Sequence, residues 1–253
     1  VEISPVVPGR FLRLAAEFWE RTGTQPAYPC DLENILNLYW LPVHRVAGLC
    51  VQRVAAWLAH AGRRDWLSRE PDRPLHGFLL AYRGRAVIFI EANDPPDERR
   101  LTLAHEFAHY LLEYHDPRRR LMQAAGPAAL AALDGIRPPT VDERMRALLA
   151  GVPLDVHVHL LDRLPDGSPA SARIARCETD ADLLAFELLA PQQEVYTRVQ
   201  HLAIPARWAD RVATLTRLLV TDFGLPVPAA HTYADRLARS LWAGPGFRDW
   251  LET

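Results

Sequence analysis

The stretch LTLAHEFAHYLLEYH, residues 101–115, holds three histidines within eleven positions, with a glutamate directly after the first. Its HEFAH segment is an HExxH motif. His105 and His109 stand four residues apart, so on a helix both imidazoles leave from one face and can meet one metal ion. Glu106 is turned by about 100° from His105, which suits a base acting on water better than a third ligand. A zinc ion with two or three protein ligands keeps a position open and lowers the pKa of water there toward ~7. Leu101, Leu103, Phe107, Ala108, Leu111 and Leu112 surround the motif, so the helix is expected to be buried, and polar groups buried on it need partners. The competing reading is an ordinary amphipathic helix with two surface histidines.

The third ligand decides the class. His115 lies ten residues after His105, the spacing of the third histidine in HExxHxxGxxH metalloproteases. That motif needs glycine where this chain has Leu112, because the helix must break sharply there. With LLEY continuing the helix, His115 is carried past the metal. Glu178, in ETDADLLAFELLAP, is the better candidate. Asp182 follows one turn later on the same face, where it can accept the N–H of a ligating imidazole and fix its tautomer. A solvent-facing acidic pair is the alternative for these two residues. His157 and His159, in DVHVHLL, are read as exposed residues.

The rest of the chain organises around these helices. PGRFLRLAAEFWERTG has a helical stripe of Phe11, Leu14, Ala15 and Phe18 ending at Gly23. DLENILNLYW and VQRVAAWLAHAG read as further helices. GFLLAY and AVIFIEA are β-rich runs separated by Arg83-Gly84-Arg85, a hairpin signal. Asp94 or Asp97 is expected to cap the helix that carries HEFAH. From 116 to 176 prolines interrupt short helical patches, and this segment is read as an insertion or lid. RVATLTRLLVTDFG and AAHTYADRLARSLW are two closing helices joined by LPVP.

HEFAHYLL followed by ETDADLLAFELLAP resembles the ImmA/IrrE family of metallo-endopeptidases, whose pattern is HExxH and then E-x-x-A-N/D-x-F-A-x-x-L-L-x-P. The resemblance spans roughly residues 26–115 and 177–240. It implies an α+β, zincin-like minimal metallopeptidase, with a small antiparallel sheet packed on helices and a helical, helix-turn-helix-like C-terminal region. It implies Zn2+ held by His105, His109 and Glu178, Glu106 as the catalytic glutamate, and Asp182 behind the ligands. The peptidase domain is placed at 1–195, with the helical region at 196–253. Leu184 stands where the family has an aromatic residue, and 68 residues separate His109 from Glu178. The implied activity is a limited cut in a partner, a helix-turn-helix repressor, releasing a stress, phage or defence programme. The alternative is a DNA-binding or scaffolding regulator with a vestigial metal site.

Composition bounds these readings. The chain has 253 residues, a formal charge of −2 and no lysine among its 29 basic residues. That balance gives no electrostatic support for broad binding to nucleic acid or an anionic membrane. No apolar run is long enough to span a bilayer, and the N-terminal VEISPVVPGR has no signal-peptide pattern, so a cytoplasmic address is expected. The triplet Arg118–Arg120 is read as a solvated charge run. Three cysteines, without a CxxC pair, exclude a zinc ribbon and a disulfide framework. Cys177 abuts Glu178, and Cys30 sits in a loop; either thiolate, occupying the metal's open position, would make a redox latch. Three inert thiols are the competing reading.

Overall fold

The computed structural model describes residues 6–23, 26–38, 41–60, 67, 71–149, 171–242 and the backbone of 157–158. These residues fall into two compact units, Leu32–Asp182 and a second made of Val1–Asp31 with Leu183–Thr253. The division therefore falls elsewhere than the 195/196 boundary read from the sequence, and His105, Glu106, His109, Glu178 and Asp182 all lie in the first unit.

In that unit α2 (Leu32–Leu38) leads into strand β1 (Val43–Val46), α3 (Val51–His60), β2 (Gly77–Tyr82) and β3 (Arg85–Glu91). β2 and β3 form the expected hairpin, with Tyr82 opposite Arg85. Both loop residues have positive φ, 48° at Arg83 and 80° at Gly84. That is the two-residue turn whose twist matches the strands it joins. The sheet is mixed, unlike the purely antiparallel one expected. β1 pairs parallel to β3, with Val43 opposite Ile88, and the order is β1-β3-β2-β4. β4 is the two-residue strand His157–Val158, paired with Leu80 and Ala81. His159, the rest of DVHVHLL and the 243–253 tail lie outside the described residues.

Both faces of the hairpin are covered, so its strands read as continuous apolar runs. On one face Phe78, Leu80, Val87 and Phe89 pack with Leu49, Val51, Val54 and Leu58 from α3 and its approach. On the other lies α4 (Pro96–His109), the helix that carries HEFAH. Neither aspartate caps α4. The cap position is Pro95, without a side-chain hydrogen bond, and Pro96 supplies the preset φ of a first helical residue. Asp94 is instead bonded to His76, at 2.7 Å, and Asp97 lies within the first turn.

The helix continues past His109, as the LLEY run predicts, but Tyr110–His115 winds as a π-helix before α5 (Asp116–Ala125) resumes. Two further short helices follow, α6 (Ala128–Leu133) and α7 (Val141–Leu149). They pack on α5 through Leu121, Ala129 and Ala147. Far from being a solvated run, Arg118 grips Asp134 through two bonds of 2.5 and 3.1 Å. Its guanidinium also lies over the Tyr114 ring, 5.2 Å from the centroid. The Tyr114 hydroxyl accepts the N–H of Gly84 at 2.6 Å. These bonds tie the first part of the 116–176 segment to the hairpin turn.

α8 (Ala172–Leu189) runs through the division between the units. The second unit contains α1 (Gly9–Thr22), the latter half of α8, α9 (Gln192–Val199), α10 (Trp208–Thr221) and α11 (Val227–Trp242). Its core includes Phe186 stacked on Tyr233, with ring centroids 4.7 Å apart. Gly224, at φ 67°, turns the chain between α10 and α11, the left-handed step that only glycine takes without cost.

Candidate metal centre

α4 and the first half of α8 bring together residues more than seventy positions apart in sequence. The Nε2 atoms of His105 and His109 face one another at 3.1 Å. Glu178 reaches across from α8, one carboxylate oxygen 3.4 Å from His105 Nε2 and the other 3.7 Å from His109 Nε2. One ligand atom from each of the three residues can be chosen so that all lie within 4.8 Å of one another, and together they can hold a metal ion. His109 is fully buried, while His105 and Glu178 are largely so.

The other nitrogen of each ring is also engaged. His105 Nδ1 is 2.9 Å from Asp182 Oδ1, and His109 Nδ1 is 2.7 Å from Glu113 Oε1. Carboxylates only accept, so each Nδ1 carries the proton and each Nε2 is left to face the Glu178 carboxylate. Two imidazole Nε2 atoms 3.1 Å apart beside a carboxylate favour a positive centre among them, a proton or a metal ion. Burial by itself lowers the pKa of His105. The hydrogen bonds to Asp182 and Glu178 and the charge of Glu106 outweigh it and lift the pKa to about 10. The donor set is thus built to hold a cation, and two imidazoles with one carboxylate match the three-ligand pattern of catalytic zinc sites.

Glu106 is 7 % exposed, and its Oε2 has no hydrogen-bond partner. A buried carboxylate oxygen without a partner is costly. Glu106 lines a cleft of about 300 Å³ together with His105, Asp182, Thr102, Leu101 and residues 73–78. Gly77 permits this approach. A Cβ there would come within 2.8 Å of Glu106 Oε1 and 2.6 Å of the Thr102 methyl.

All the residues singled out around HEFAH and in ETDADLL therefore meet, with one exception. His115 is outside the metal-binding group, and its ring lies beside Tyr110 at 5.8 Å. Of the two thiols, Cys30 is buried in the other unit. Burial, then the charge of Glu113, pushes the Cys177 thiol up, with Asp180 and Glu178 adding to the shift. A thiol held protonated is a poor ligand. One residue escaped the sequence reading. Glu113 is four positions after His109, the same offset that links Asp182 to Glu178.

A helix carrying HExxH against a small sheet, facing a second helix with a glutamate ligand candidate, defines a zincin-like metallopeptidase fold of the α+β class. Residues 68–129 match the family model Peptidase_M78, the IrrE N-terminal-like domain. The match supports the resemblance to the ImmA/IrrE family, a family of metallopeptidase-type hydrolases. Glu178 and Asp182 lie beyond the matched residues, so their part in the site rests on the geometry above. No curated protein and no solved structure matches the chain.

Proposed function

We propose that this chain is a zinc-dependent endopeptidase that makes a limited cut in a partner protein, a helix-turn-helix transcriptional repressor. The cut would release a stress, phage or defence programme. The observation that carries the enzymatic part is the meeting of His105, His109 and Glu178 beside a buried Glu106 carboxylate that opens onto a cleft.

When bound, the metal supplies a Lewis acid and acidifies water. Glu106 takes a proton from the attacking water as the C–O bond forms. It then gives that proton to the departing amine nitrogen as the C–N bond breaks. Asp182 holds the His105 ring in one tautomer. The cleft walls give a substrate strand a place to pair. β3 has β1 on one side and β2 on the other, so it offers no edge to a substrate. The side of β2 away from β3 carries only the short β4. Glu91 N–H bonds to His76 O, so by alternation Gly77 and Leu79 turn their backbone groups away from β3. Among the described residues β4 engages this edge only at Leu80 and Ala81. An extended peptide laid along Gly77 would run past Glu106.

The test is incubation of the purified protein with any helix-turn-helix repressor encoded beside it, with and without chelator. A discrete cut that chelator abolishes supports the proposal. An intact repressor in the metal-loaded reaction removes the assignment of substrate.

A further inference from the structure

The two imidazoles of the centre are held by carboxylates from different sources. Asp182, from α8, holds His105. Glu113, on the same continuous helix as the motif, holds His109 at 2.7 Å. In an α-helix the position four residues on overshoots a full turn by about 40°. The π-turn from Tyr110 to His115 is wider, closing i to i+5. The fourth residue on then falls short of a full turn by roughly 30° instead of overshooting it, so position 113 lies on the other side of His109 from where regular winding would carry it. Single π-turns inside α-helices are a common device for redirecting one side chain at a site.

Resting on the reading of His109 as a metal ligand, we propose that Glu113 is a positioning residue for the centre and that the π-turn places it there. By accepting the Nδ1–H of His109, Glu113 fixes the tautomer that leaves the Nε2 lone pair for the metal. It also makes that nitrogen a stronger donor and stops the ring from turning about its Cβ–Cγ bond. His109 is fully buried, so water cannot readily replace this acceptor. The centre then has a carboxylate–imidazole pair on each side, one supplied locally and one from across the fold.

The test uses the full chain and Zn2+ or Co2+ alone, with affinity read by competition against a chromophoric chelator. Glu113→Ala is expected to bind either ion 10–100-fold more weakly than the unaltered protein, with a changed Co2+ visible spectrum. Glu113→Gln retains an acceptor oxygen and is expected to recover most of the affinity, which a purely structural or charge role would not produce. In the unaltered protein, ¹⁵N–¹H spectra of the imidazoles are expected to show His109 protonated at Nδ1, whether or not Glu113→Ala folds. Equal affinity in folded Glu113→Ala, or a His109 protonated at Nε2, overturns the proposal. If the unaltered protein binds no better than His109→Ala, the metal-site reading itself fails, an outcome that does not resemble the others.

Discussion

Two buried glutamates, Glu106 in the peptidase unit and Glu187 in the C-terminal unit, are equally hidden from solvent, at 7 % exposed each. Their surroundings differ. Glu106 opens onto a cleft, has one oxygen without a partner and sits next to His105 in the chain. Glu187 lies in the interior, accepts the N–H of Gln192 at 3.0 Å, and helps push up the phenols of Tyr196 and Tyr233. Burial raises Glu187 to about 7, although the Gln192 bond opposes the rise. The comparison separates two uses of the same side chain. A buried carboxylate among apolar and phenolic groups only costs stability. One poised over a cleft beside a cation site can move a proton.

The largest expected effect breaks the catalytic side of the comparison. Glu106→Gln should lower partner cleavage at least 10²–10⁴-fold, with metal content and thermal midpoint near those of the unaltered protein. A variant that still cleaves at close to the original rate would show that Glu106 is not the base. Removing the ligand across from it comes next. Glu178→Ala should lose most bound metal and some thermal stability, since the two imidazoles lose their carboxylate partner, while His115→Ala keeps its metal. Metal analysis of the two purified variants decides it. A metal-replete Glu178→Ala beside a metal-free His115→Ala would overturn the ligand assignment.

A subtler change tests whether the placement of Glu106 matters as much as its charge. Gly77→Ala puts a methyl against Glu106 and Thr102 and should displace the carboxylate. Loss of cleavage on the order of 10²-fold is expected from such misplacement, with metal affinity unchanged. Full activity would show that the cleft accommodates the methyl.

Glu187→Gln sharpens the other side. The folded protein holds the Glu187 proton more tightly than the unfolded chain does. Stability is therefore fully present below pH ~4.5 and is lost as pH rises through about 7. At about 1.4 kcal/mol for each pKa unit, the loss above pH 7 is roughly 3 kcal/mol. Glutamine can still accept from Gln192 and carries no charge. Its variant should be more stable than the unaltered protein at pH 8 and gain little at pH 5, as read by thermal unfolding across that range. An identical pH slope in both proteins would rule out Glu187 as the source.

Local spacing carried much of the site. His105, Glu106 and His109 share a turn of one helix, and Glu178 and Asp182 share a turn of another, so each group is visible within five residues of sequence. The hairpin was equally legible, since a glycine at the turn and apolar runs of matched length need no distant partner. Glu113 stands at ordinary helical spacing from His109, but only the fold shows that its carboxylate meets the imidazole instead of solvent. The solvated reading of Arg118 failed because its partners, Asp134 and the Tyr114 ring, sit on other elements.

By itself, then, the sequence determined the chemistry on offer: two imidazoles and a glutamate on one helix, and two carboxylates on another. Tertiary structure decided that Glu178 crosses 69 positions to reach His109, and that β1 joins β3 in parallel, so that β3 has a partner on each side. It also decided that α1 belongs with the C-terminal helices in one compact unit. The physical reason is the range of the interactions. Helical periodicity and turn preference act over a few residues, whereas strand order and helix docking depend on which apolar faces find one another when the whole chain collapses.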